Sequence, residues 1–232
     1  MKPVLVGGDS FAVLDPTHGH WAHSVFGNTK HVAMPGDNHV SICTKLNSLD
    51  LTKYRAIVYH ITSFTRAECF SSEVSFAETL DRLIDFDSQS DSFERLVSEM
   101  KNSGVGHFDN ANYLTSPSWL DKSKGTKMKE FYSSVSTRWL LKANFNSMMS
   151  LIHHANSVNI PIVLVMSPFF NMNFESLQKS IEGKADFTLF DANIKRFEKE
   201  IQAQCELSNN HVGKKYRDLI VEKFKTQHED LI

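Results

Sequence analysis

Residues 160–166 read Ile-Pro-Ile-Val-Leu-Val-Met, an almost unbroken apolar run opened by Pro161 and closed by Ser167-Pro168. A run this short with no polar alternation predicts a strand buried on both faces, as in a parallel sheet covered by helices. Three more segments fit beside it. Residues 3–6 form a short apolar strand stopped by Gly7-Gly8, residues 31–34 a second closed by Pro35-Gly36-Asp37-Asn38, and residues 55–62 (RAIVYHIT) a third rich in β-formers. Between them lie helical patterns. Residues 127–157 carry Phe131, Val135, Leu141, Phe145, Met148 and Ile152 mostly at three- or four-residue steps, and 193–204 and 212–225 repeat the pattern on a smaller scale. Strand alternating with helix predicts an α/β domain, a three-layer α/β/α sandwich around a central, mostly parallel sheet. The stretch 85–127 is rich in Ser, Asp, Asn and Gly and reads as an insertion or lid within a single domain spanning 1–232.

Composition narrows the partners. The 232 residues are 41% hydrophobic, and 25 Lys+Arg against 27 Asp+Glu leave a net charge of −2. That balance lacks the basic field of a nucleic-acid binder, and no apolar run approaches the ~20 residues that span a bilayer. The opening MKPVLVGGDS has too short an apolar run for a signal-peptide core, so cytoplasmic synthesis is expected. Cys43, Cys69 and Cys205 are odd in number and lack C-x-x-C spacing, which fits free thiols rather than a disulfide framework.

Three places carry chemistry. Gly8-Asp9-Ser10-Phe11 follows the first strand, where ligands of parallel sheets bind; its plain reading is a turn in which Asp9 or Ser10 caps the next helix. No Gly-Lys-Ser/Thr follows it, which excludes a P-loop, and Ser10 lacks the following glycine of a G-x-S-x-G elbow. Gly36 in Met34-Pro35-Gly36-Asp37-Asn38 can present its amide closely, or simply turn the chain. His211, before the last helical segment, suits a general base or a solvated loop residue. The cluster His18-Gly19-His20-Trp21-Ala22-His23 has no acidic or thiol partner at metal-site spacing, so no metal is expected there. Its plain reading is a polar loop entering a helix with Trp21 packed beneath.

In this order the blocks resemble the SGNH (GDSL-like) hydrolase family: Gly8-Asp9-Ser10, then Gly36, then His60-Ile61-Thr62-Ser63-Phe64-Thr65-Arg66, and last His211. The form of the third block, with Trp21 after the first, looks most like divergent SGNH-like proteins of tailed bacteriophages. The resemblance implies a flavodoxin-like sheet. It makes Ser10 the nucleophile, His211 its base, and the amides of Ser10 and Gly36 oxyanion donors. Two positions depart from the pattern. The family's asparagine donor is absent from HITSFTR, which leaves the Thr62 or Ser63 hydroxyl. The aspartate expected before the histidine is replaced by Asn209 and Ser208, so either the Asn209 oxygen or a backbone carbonyl would orient the imidazole. Asp9, Asn38 and Arg66 are candidates for substrate contacts, Arg66 through a bidentate hold on a carboxylate or phosphate, unless it pairs structurally with an acid such as Asp9. The implied function is a serine esterase, acting on a small-molecule or glycan ester such as a carbohydrate O-acetyl group, with no cofactor. The alternative is a catalytically weak module of the same fold serving in a phage virion or tail, with other virion proteins as partners.

Overall fold

The computed structural model describes residues 1–12, 19–33, 38–62, 64, 67–68, 113–114, 137–166, 174–193 and 213–231. Its centre is a five-stranded, wholly parallel sheet, the α/β arrangement expected from the apolar runs. The strands are β1 (Val4–Gly8), β2 (Thr29–Ala33), β3 (Ala56–Ile61), β6 (Ile162–Met166) and β7 (Thr188–Phe190), in the order β2-β1-β3-β6-β7. Two further short strands, β4 (Ala67–Glu68) and β5 (Tyr113–Leu114), pair antiparallel as a separate ribbon. Counted without that ribbon, the strand order is 2-1-3-4-5, that of flavodoxin-like doubly wound sheets. Its reversal of direction falls between β1 and β3.

The helices are α1 (Trp21–Phe26), α2 (His39–Asn47), α3 (Thr137–Ser157), α4 (Phe174–Ile181) and α5 (Lys214–Gln227). Successive strand side chains point to opposite faces, and the core divides accordingly. Leu5, Ile57, Tyr59, Ile61, Ile162 and Leu164 pack with Ile42 and Leu46 of α2 and with Met148 and Ile152 of α3. On the other face Val4, Val6, Val58, Val163 and Val165 meet Trp21 and Val25 of α1 and Ile220 and Phe224 of α5. The second face is rich in aromatic rings: Phe224 lies 5.2 Å from Trp21, 5.6 Å from Phe26 and 5.0 Å from Phe190, centroid to centroid.

Several expected bounds move. The first strand does not stop at Val6. Gly7 and Gly8 continue its ladder opposite Val32 and Ala33, and Gly8 does so at φ +148. A Cβ at Gly8 would lie 2.6 Å from the Cβ of His60 and 3.0 Å from its carbonyl oxygen, so glycine alone fits here for both conformation and space. The second strand spans Thr29–Ala33 rather than 31–34, the long helix is described from Thr137, and the last runs from Lys214 to Gln227. The expected helix at 193–204 lies outside the described residues except for Asn193. So does the proposed insertion at 85–127, apart from the two residues of β5. Among the described residues no helix is long and apolar enough to cross a membrane.

Candidate functional site

The carboxyl ends of β1 and β3 flank the crevice where ligands bind in sheets of this order. β1 runs directly into Asp9 and then a 3-10 turn, Ser10–Ala12. Asp9 builds that turn: its Oδ1 accepts from the Phe11 amide at 3.1 Å and its backbone carbonyl from the Ala12 amide at 2.9 Å. β3 runs into Thr62, whose hydroxyl donates to Asp9 Oδ2 at 3.0 Å. Both side chains are fully buried. This contact joins the two strand ends, and the pair is fifty-three residues apart in the chain.

This geometry bears on three of the expected roles. Asp9 spends its carboxylate inside the protein, on a turn amide and a threonine, which is the capping role weighed for it above. Thr62 gives its one hydroxyl proton to Asp9, so it is not aimed at a developing oxyanion. Asn38 is buried as the N-cap of α2, its Oδ1 accepting from the Ser41 amide at 3.0 Å. Side chains of this kind at a helix start satisfy an otherwise orphaned amide. Ser10 is described through its backbone, at the first position of the turn. Gly36, Ser63, Arg66, Asn209 and His211 lie outside the described residues.

Substituting Thr62 isolates the Asp9 contact. Thr62→Val keeps the shape and leaves the buried carboxylate short of a donor, and a loss of about 1–3 kcal/mol in urea denaturation is expected. Thr62→Ser restores the hydroxyl and most of the stability. Equal midpoints for wild type and Thr62→Val would show that the contact carries nothing.

Polar side chains that sequence reading passed over support both strand ends. On the α2 face His39 is fully buried and stacked on Phe64 at 4.3 Å. Its Nε2–H donates to the Thr62 carbonyl at 3.0 Å, and its Nδ1 accepts from the Tyr59 hydroxyl at 2.6 Å. Tyr59 in turn accepts from the buried Cys43 thiol at 3.4 Å. Asn144 of α3 accepts the His39 amide and donates to the Phe64 carbonyl, each at 3.0 Å. The chain just after β3 is therefore held by one histidine and one asparagine from two helices.

On the α1 face lie His20, His31 and His60, all nearly inaccessible. The ring of His20 sits 4.9 Å from that of His31 and 5.1 Å from that of His60. Burial, reinforced by the other two rings, holds the His20 pKa well below the ordinary imidazole range. Burial and then His31 lower that of His60 to about 3. The Nε2 of His60 accepts from the Trp21 indole at 3.3 Å. Its Nδ1 is buried without a hydrogen-bond partner among the described residues. Two histidines of the 18–23 cluster differ in placement: His20 is the buried N-cap of α1, whereas His23 is exposed. Trp21 is buried, with its ring 5.5 Å from Phe190 and 5.2 Å from Phe224. Among the described residues no group of three or more His, Cys, Asp or Glu is placed to hold a metal ion.

The last helix meets the same edge. Arg217, one turn into α5, donates from Nη1 to the Gly19 carbonyl at 3.0 Å. The next residue, His20, reaches the Phe11 carbonyl of the Ser10 turn at 3.0 Å. Compared with protein-family models, curated proteins and solved structures, the chain matches none of them.

Proposed function

We propose that this chain is a serine hydrolase of the SGNH type that cleaves an ester, with a carbohydrate O-acetyl group as the substrate class. The supporting observation is the path of hydrogen bonds from α5 through Arg217, Gly19 and His20 to Phe11. It brings the start of the last helix, whose cap Gly213 follows His211 by two residues, to the edge that carries Ser10. The reaction assigned to this edge is acyl transfer. Ser10 Oγ forms a bond to the acyl carbon as its proton passes to His211, and the carbonyl electron pair moves onto oxygen beside the amides of Ser10 and Gly36. Collapse expels the alcohol, which takes the proton from His211. Water then attacks the acyl-enzyme by the same route.

One observation favours the second reading, a module of this fold with weak or no chemistry and a virion role. The Thr62 hydroxyl is held by Asp9, which leaves Ser63 as the one hydroxyl candidate for the third donor, and a site without that donor loses about 10²–10³ in rate. Turnover of p-nitrophenyl acetate separates the two. The hydrolase reading expects slow turnover that falls to the uncatalysed rate in Ser10→Ala and in His211→Ala. Equal rates for wild type, both variants and buffer favour the inert module.

A further inference from the structure

The two carbonyls at the end of the Ser10–Ala12 turn are each met by a buried imidazole. His20 Nε2–H donates to Phe11 O at 3.0 Å, and His31 Nδ1–H donates to Ala12 O at 2.7 Å. The neighbours set which nitrogen is the donor. His20 Nδ1 is taken up as acceptor of the Ala22 amide at 3.1 Å, so its proton sits on Nε2. The Ala12 carbonyl can only accept, so the His31 proton sits on Nδ1, and its Nε2 faces the Thr29 hydroxyl at 3.0 Å.

We infer that His20 and His31 are positioning residues that fix the orientation of the turn bearing Ser10. The inference rests on the reading of Ser10 as nucleophile and adds two residues to it. Apolar side chains could fill this space without setting two imidazole rings 4.9 Å apart, centroid to centroid. What they could not do is hold two inward-facing carbonyls, each unsatisfied if buried alone. With the Phe11 and Ala12 amides pinned by Asp9 and both carbonyls pinned by histidine, the backbone around Ser10 has little freedom to tilt. Register places the second imidazole: His31 lies opposite Val6, so its ring reaches the turn that ends β1. The first is placed by the start of α1, which His20 caps.

A crossed set of amide substitutions tests this. Glutamine can set a donor near the position of Nε2, and asparagine near that of Nδ1. His20→Gln and His31→Asn therefore retain the bond to the turn, whereas His20→Asn and His31→Gln lose it. Two readouts are taken on all four: kcat and KM for p-nitrophenyl acetate per folded molecule, and deuterium exchange of the amides of residues 9–12. The mismatched pair should lose about 10–100-fold in kcat with KM nearly unchanged, the scale expected when a reacting group is misplaced. Their turn amides should exchange faster, and the matched pair should stay near wild type in both readouts. Wild-type exchange in all four variants overturns the inference. So does a loss of activity that follows only the folded fraction. If wild type shows no turnover but exchange follows the crossed pattern, the nucleophile reading fails and the histidines stand as holders of the turn.

Discussion

Truncating Phe224 to alanine should remove about 3–5 kcal/mol of stability, the range measured for emptying a buried phenylalanine site. The ring is fully buried. It contacts Trp21, Phe26 and Phe190, and the His228 ring lies 5.0 Å away. These partners come from α1, β7 and the segment after α5, so no single side chain can swing in to fill the void. Edge-to-face pairs such as Phe224 with Phe190, at 81° between planes, add their own term of about 0.5–1.5 kcal/mol beyond the area lost. For a chain of this size the melting temperature should fall by roughly 6–20 °C. Lys225→Ala, at an exposed neighbour, should change stability by no more than about 0.5 kcal/mol. A loss below about 1 kcal/mol for Phe224→Ala would mean that α5 is not seated on the α1 face, and the alignment of its start with the Ser10 turn would fail with it.

Acid should unfold the protein early, through histidines rather than carboxylates. His20 and His60 have folded pKa values below the value of an unfolded imidazole, because burial penalises the charged ring and, second, His31 repels it. Both therefore stay neutral in the fold and bind a proton once the chain opens. Their contribution is complete above about pH 6.5 and is lost as pH falls from there toward about 3, the folded value for His60. Each neutral buried histidine contributes a slope approaching ~1.4 kcal/mol per pH unit in that window. His60 alone should remove about 2–3 kcal/mol between pH 6 and pH 4, and His20 acts in the same direction. The lowered carboxyl groups of Asp50 and Asp218 act in the same direction, but they are exposed and begin to matter only below the ordinary carboxylate range. Urea denaturation at pH 7, 6, 5 and 4.5 reads the slope directly. His60→Gln, which can still accept from the Trp21 indole, should roughly halve it. A stability curve that is flat to pH 4.5, or one with the same slope in His60→Gln, would contradict the buried-neutral assignment.

The sheet was legible because its central strands are apolar on both faces. The run at 160–166 and the segments at 3–6 and 55–62 announce β6, β1 and β3 by composition alone. Their ends were less legible. Gly7-Gly8 reads as punctuation, yet Gly8 continues the ladder because nothing larger fits beside His60. β7 has three residues, of which only Phe190 is fully buried, too little pattern to stand out. α2 hides its apolar positions Ile42, Cys43 and Leu46 among the buried polar residues His39, Ser41 and Lys45, so hydrophobic periodicity misses it.

The site was legible at Gly8-Asp9-Ser10, a literal motif, and illegible in its supports. His20, His31 and His60 belong to α1's cap, β2 and β3, and only strand register and one helix start bring their rings together. The bond from Thr62 to Asp9 likewise depends on β1 and β3 being neighbours. A histidine inside an apolar strand, such as His60 in RAIVYHIT, is the signal that could have pointed to this layer. A charged imidazole is too costly to bury there without a neutralising environment.

Covalent labelling tests the central claim most directly. After incubation with a fluorophosphonate at pH 7.5, the protein is digested and the adduct mapped by mass spectrometry. The account predicts one adduct, on Ser10, absent in Ser10→Ala and formed far more slowly in His211→Ala. No adduct, an adduct on another residue, or labelling of Ser10 at the same rate without the His211 imidazole would contradict it.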